Sequence, residues 1–176
     1  MKKLFLFSVL TGLLCTCSGC WLMQEPANNP PELYDLTPPA VRSEQSCNFG
    51  RIRNLSPAGR KMLYRHPGNR ITESAVSWVQ SPDALLFCYL ESRFPADAKA
   101  PQIRLSILRF ELDLTADQAV LAVDLACSRP GNLSGKVQRC TFTAPLAGRS
   151  GAEASRAMTI CAEELSKTII KMIQEK

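Results

Sequence analysis

Five cysteines lie beyond residue 45: Cys47, Cys88, Cys127, Cys140 and Cys161. With His66 and the carboxylates Glu91, Glu111, Asp113 and Asp124, they are the side chains of this region best suited to covalent or acid–base chemistry. Their spacing supports little of it. No Cys-x-x-Cys occurs there, so zinc binding and thioredoxin-type exchange lack their signature. His66 opens His66-Pro67-Gly68-Asn69, a strong turn signal, where an imidazole is solvated rather than poised. A Ser-His-Asp relay would have to use this lone histidine, yet no Gly-x-Ser-x-Gly elbow is present. No phosphate-cradling glycine loop appears either. The carboxylates alternate with apolar residues, the pattern of the wet face of a sheet. The reading is a protein that is not an enzyme and that takes no metal and no cofactor. A thiol enzyme using one unpaired cysteine is the competing chemical hypothesis.

Disulfide chemistry is the other use of these thiols. Cys127 and Cys140 are the best pair. With a hairpin turning between Leu133 and Ser134 they would lie opposite each other, Cα atoms roughly 4.5–5.5 Å apart, within disulfide reach. Such a bridge stabilises by about 3 kcal/mol in the chain-entropy model. The alternative is two small buried thiols. Five cysteines cannot all pair, and Cys161 and Cys88 fit helical packing positions.

The remaining cysteines belong to a different segment. Lys2 and Lys3 precede an apolar run from Leu4 to Leu14. That run is too short for a transmembrane helix, which needs ~20 residues, but suits a signal-peptide core. Cys17-Ser18-Gly19-Cys20 then resembles a bacterial lipobox, with cleavage between Gly19 and Cys20 and lipidation of Cys20. Cys17 stands where Leu is usual, and Cys15 and Cys17 are rival acceptors with poorer small residues before them. The alternatives are an ordinary signal peptide cut nearby, leaving Cys20 a thiol, or a metal cluster of Cys15, Cys17 and Cys20. The lipobox implies a diacylglyceryl group, often with a third acyl chain such as palmitate, and two or more chains anchor stably. Trp21 follows rather than Asp, which favours the outer membrane, on its periplasmic face. Export would put the other cysteines in an oxidising compartment.

The elements that must position these residues follow from composition and periodicity. The chain has 176 residues and a formal net charge of +5. Removing Lys2 and Lys3 with the leader leaves about +3, and without a Lys/Arg run this gives nucleic-acid binding no support. Residues 20–45 hold Pro26, Pro30, Pro31, Pro38 and Pro39 and read as a lipidated N-terminus with a semi-extended tether. Within it Leu33-Tyr34-Asp35-Leu36 fits a short edge strand. Residues 46–176 form one domain. Cys47, Phe49 and Ile52 suggest a first core strand, and Met62–Arg65 with Arg70–Ala75 a hairpin about His66-Pro67-Gly68-Asn69. Ser81-Pro82-Asp83 starts a short helix that ends before Pro95.

Ile103, Leu105 and Ile107 alternate, and then the phase slips at Leu108, implying a β-bulge or a strand buried on both faces. Leu121, Val123, Leu125 and Cys127 alternate cleanly, and Pro130-Gly131-Asn132 turns into a strand carrying Cys140 and Phe142. Ser150 and Glu153 form a capping box. Ala154, Met158, Cys161, Leu165, Ile169 and Met172 then make one apolar helix face. The fold class expected is α+β, a mixed, mainly antiparallel sheet with two helices on one face.

On these residues the chain resembles the ABC-type transport auxiliary lipoprotein family, which includes paraquat-inducible protein C. The resemblance runs over roughly 34–173. An early Tyr-x-Leu is Tyr34-Asp35-Leu36. The Arg-x-Met-x-Tyr-Arg segment is Arg60-Lys61-Met62-Leu63-Tyr64-Arg65, followed by Asn69. The Trp-x-x-x-Pro is Trp78-Val79-Gln80-Ser81-Pro82, and an Ala-rich final helix is 152–173. Ser77 stands where the family has Arg, and the extra cysteines are not a family mark.

The resemblance implies a non-catalytic envelope lipoprotein of an ABC-type or MCE-domain lipid transport system, docking a periplasmic assembly to the outer membrane. The alternative is a structural lipoprotein assisting another outer-membrane complex. The implied partners are a periplasmic MCE-domain protein, ABC or related transporter components, the membrane through the lipid, and further copies of the chain. Tyr64, Arg65, Arg70 and Trp78 are the candidate partner contacts. The alternative for them is structural, with Trp78 capping the core and Tyr64 packing on the sheet.

Overall fold

The computed structural model describes residues 31–128 and 135–175. A compact unit spans Pro31–Lys176. Its strands are β1 (Leu33–Tyr34), β2 (Asn48–Phe49), β3 (Arg53–Asn54), β4 (Lys61–Arg65), β5 (Ile71–Trp78), β6 (Gln102–Asp113), β7 (Gln118–Ser128) and β8 (Val137–Pro145). Helix α1 (Pro82–Arg93) follows β5, and α2 (Gly151–Gln174) closes the chain. The protein is α+β. The strands form one mixed sheet in the order β1-β5-β4-β6-β7-β8, with β2 and β3 also on β6. The long pairings β4/β5, β6/β7 and β7/β8 are antiparallel. The parallel ones, β1/β5 and β2, β3 and β4 along β6, are short.

One edge of β6 is therefore served by a chain laid down in three pieces. β2 meets Gln102 and Ile103, β3 meets Ser106 and Ile107, and β4 meets Leu112 and Asp113. Between the last two, β6 carries the expected bulge, located between Ile107 and Arg109. Before it, Ile103, Leu105 and Ile107 point to the helices; after it, Phe110 and Leu112 do. The extra residue shifts the alternation by one, so both halves bury apolar side chains on the same face.

That face holds the core. Leu85, Leu86 and Leu90 of α1 and Met158, Cys161 and Leu165 of α2 pack on Leu105, Leu121, Val123 and Leu125. Pro82 occupies the first turn of α1, where a missing N–H costs nothing. α2 has the capping box read from sequence: Ser150 Oγ accepts from Glu153 N at 3.3 Å, and Ser150 N donates to Glu153 Oε2 at 3.2 Å. Its first residue is Gly151 for a steric reason, because a Cβ there would run into the Tyr34 ring.

Residues 31–45 of the expected tether belong to this unit. β1 pairs with β5, Leu36 is buried, and Ser155 Oγ donates to Asp35 O. Thr37 N donates to Thr159 Oγ1 at 3.0 Å, and Ser43 N to Arg93 O at 2.7 Å. The prolines leave this stretch little helix or sheet of its own, so its backbone groups find partners on α1, α2 and β5.

Candidate functional site

Among the described residues, no helix packs on the sheet's other face. Its residues are the alternates of the core positions: Gln102, Arg104, Ser106, Arg109, Glu111 and Asp113 on β6, with Ala126, Asp124, Ala122 and Val120 beside them on β7. β8 adds Arg139, Thr141 and Thr143. Arg65 joins at the Asp113 row. This open face is the functional candidate, because it is polar, broad and rich in arginine.

Charge on it is organised at three places. Glu111 is 2% exposed and accepts two arginines. Arg65 grips it bidentately, Nε to Oε1 at 2.6 Å and Nη2 to Oε2 at 2.9 Å. Arg109 Nε reaches Oε1 at 2.7 Å, and its Nη2 also approaches Asp113 Oδ2 at 3.7 Å. The paired geometry offsets the desolvation of a buried carboxylate, which alone would be costly. Hydrogen bonding to Glu111 raises the Arg65 pKa further above its ordinary value. Asp124 is held bidentately by Arg139, at 2.8 and 3.0 Å, and this bond lowers the Asp124 carboxyl below its ordinary value. The third place is a groove of about 900 Å³ at the β2–β3 connection, lined by Arg51, Arg53, Arg104, Gln102, Asp83 and Asp124 among others.

The candidate partner contacts do not converge. Trp78 is 1% exposed, stacked edge-on against Phe110 with ring centroids 5.3 Å apart. It is a core residue and presents nothing to a partner. Tyr64 is half-buried on the same face as Thr72 and Ser74, with Ser74 Oγ 3.4 Å from its hydroxyl. Arg65 points to the open face and is occupied by Glu111. Arg70 is exposed beyond the turn Pro67–Asn69, at the far end of β5 from Trp78. His66 Nε2 lies 2.8 Å from Thr72 Oγ1, a contact that fastens the hairpin.

The Cys127–Cys140 bridge is corrected. Cys140 lies opposite Val123, and the strands pair Val137 with Ala126. Cys140 therefore sits four residues from the row of Cys127, roughly 13 Å along the strand, beyond disulfide reach. Cys140 is an unbridged thiol. Burial, with a smaller contribution from Asp124, pushes its pKa up. Burial pushes Cys47 and Cys161 up to about 12. Cys161 Sγ lies 3.6 Å from Phe142 O and 3.8 Å from Ala119 O, a structural thiol wedged between strands and helix. A thiol held protonated is a poor nucleophile. Among the described residues no group of His, Cys, Asp and Glu is arranged to hold a metal, and no helix is long and apolar enough to cross a membrane. Gly19 and Cys20, the cleavage and lipidation residues, lie outside the described residues, as do Cys15, Cys17 and the Pro130-Gly131-Asn132 turn.

Two features escaped the sequence reading. The Arg65–Glu111–Arg109 cluster requires β4 to dock beside the far end of β6, a long-range pairing that no local pattern encodes. The groove arginines had a local signal that could have found them: Arg51 and Arg53 flank buried Ile52, and Arg104 sits between buried Ile103 and Leu105. Alternation alone places all three on the side away from the core.

No protein-family model matches the chain, and no curated protein matches it. Solved structures do share its fold. Protein XCC0632 from Xanthomonas campestris, described under the family label DUF330, superposes with a TM-score of 0.66 at 11% identity. The match covers 78% of this chain and 92% of that one. A second structure, described as an uncharacterized protein, gives 0.62 at 10% identity, covering 82% and 97%. At such identities the likeness concerns the fold alone.

Proposed function

We propose that this chain is a membrane-anchored lipoprotein of an ABC-type or MCE lipid transport system in a bacterial envelope. In this reading a lipid on Cys20 fixes it to the outer membrane, and the folded unit docks a periplasmic transport assembly. The protein itself performs no chemical step. Its binding work is done by surface, not by a catalytic cleft.

One observation carries the reading. The residues of the family resemblance are the joints on which this fold turns. Tyr34 and Leu36 seat the first strand against β5 and α2. Met62 and Trp78 are buried, and Pro82 starts α1. Burial pushes the Cys47 and Cys161 thiols up to about 12, which makes these two poor nucleophiles.

Chemical crosslinking of intact envelopes, followed by recovery of the full chain, tests the docking claim. Recovery of an MCE-domain protein or a permease component is the expected result, and recovery of neither overturns it. Mass spectrometry of the mature N-terminus tests the anchor. Acylated Cys20 is expected, and an unmodified thiol there removes the membrane half of the proposal.

A further inference from the structure

The groove beside β3 is distinguished from the rest of the open face by its unanswered charge. It runs from the first turn of α1, across Gly50–Leu55, onto β6 and β7. Arg51 and Arg53 are exposed and turned away from the core by Ile52 between them, which is 4% exposed. Arg104 is turned the same way by Ile103 and Leu105. β3 lies parallel to β6, with Arg53 opposite Ser106, and Arg51, just before β3, lines the same groove.

Elsewhere on this face arginines meet carboxylates of the same sheet. Arg65 and Arg109 share Glu111, and Arg139 takes Asp124. Among the described residues, neither Arg51 nor Arg53 forms an ion pair. Two carboxylates do line the groove. Asp124 is already engaged by Arg139 on both oxygens. Asp83 lies in the first turn of α1, where Ser81 provides no side-chain cap and the free backbone N–H groups favour negative charge. The balance remains positive.

We infer that this groove binds a phosphate group, gripped by Arg51 and Arg53. Guanidinium forks match phosphate oxygens bidentately, and a tetrahedral anion can be approached by several forks at once. A volume of about 900 Å³ leaves room for what the phosphate is attached to. A soluble phosphomonoester and the headgroup of a phospholipid share this chemistry. The inference is independent of the transport reading and survives its failure.

Titration of the full chain with sn-glycerol 3-phosphate, followed by calorimetry at low ionic strength, is the test. Saturable binding is expected, weakened at least tenfold in the R51Q/R53Q double variant. The K167Q/K171Q variant removes the same charge from α2 and should keep the affinity. A parallel sedimentation with phosphatidylglycerol and with phosphatidylcholine vesicles identifies the source. Binding to phosphatidylglycerol that R51Q/R53Q loses beyond the loss in K167Q/K171Q assigns a headgroup. Soluble binding without that difference assigns a free phosphomonoester. No saturable binding of either probe, or equal losses in both double variants, overturns the proposal. Unchanged thermal unfolding of R51Q/R53Q guards against loss through misfolding.

Discussion

The two ends of the open sheet face are built on the same strand and answer charge in opposite ways. At the far end of β6, Arg65 and Arg109 close on Glu111, which is almost wholly buried. At the near end, Arg51 and Arg53 line an open groove and form no ion pair among the described residues. The bulge between Ile107 and Arg109 separates the two regimes. Beyond it the strand sets Arg109, Glu111 and Asp113 on one face, so cation and carboxylates are two-residue neighbours. Before it, the same face of β6 carries Gln102, Arg104 and Ser106, and Arg53 stands opposite Ser106. Satisfied charge is architecture, because moving it would strand a partner. Charge without an internal partner is available to a ligand.

The opposite side of the first end sets the scale. Phe110 lies between Arg109 and Glu111 in sequence but points to the helices and against Trp78. Trp78→Ala should cost about 3–5 kcal/mol through the cavity left in the core, read from the urea midpoint. Trp78→Phe should cost clearly less, since the buried Trp78 Nε1 has no hydrogen-bond partner among the described residues and its removal relieves a desolvation penalty.

Breaking the cluster itself comes next. Glu111→Ala leaves two guanidiniums facing each other without their shared carboxylate. The loss should be about 3 kcal/mol, the low end for a broken buried pair because Arg65 and Arg109 are 20% and 37% exposed. A loss below about 1 kcal/mol would reduce the cluster to an ordinary surface pair. By contrast, the R51Q/R53Q double variant should unfold within about 0.5 kcal/mol of the wild type, as surface changes do. If it were strongly destabilised, the two ends would not differ in kind.

The smallest effect belongs to Arg139, which is exposed. Its hydrogen bond lowers the Asp124 carboxyl pKa, so the folded form binds that proton less readily than the unfolded chain. The stabilisation is present above the ordinary carboxylate range and is lost as pH falls through the lowered folded value. Arg139→Met should therefore differ slightly from the wild type at neutral pH, and the difference should vanish in acid. Denaturation curves at a series of pH values check this, and a difference growing toward acid would reverse the assigned sign.

Local features were the most legible ones. The Ser150/Glu153 box and the apolar face of α2 need only residues within two turns. The bulge showed as a phase slip at Leu108. The hairpin about Pro67–Asn69 announced itself by composition, and Gly68 and Asn69 do adopt positive φ. The β7–β8 register was a different matter. The expected Cys127–Cys140 pairing and the observed one differ by four residues, an even slip that leaves every side chain on its proper face. Alternation is blind to such a slip, and only the packing of whole strands resolves it. The candidate contacts Tyr64, Arg65, Arg70 and Trp78 suffered similarly. They are near in sequence, but adjacent strand residues face opposite sides and the hairpin spreads them along its length.

By itself, then, the sequence determined the α+β class, the strand phases and the capping box of α2, because each depends on short-range sterics or on the period of apolar residues, whereas Cys88, expected at a helical packing position, is exposed. Tertiary structure alone decided where charge is answered. Glu111 finds Arg65 only because β4 docks 46 positions away in the chain, on the strand edge that β2 and β3 occupy further back. Whether an arginine is neutralised or left to a ligand depends on the neighbours that folding brings to it.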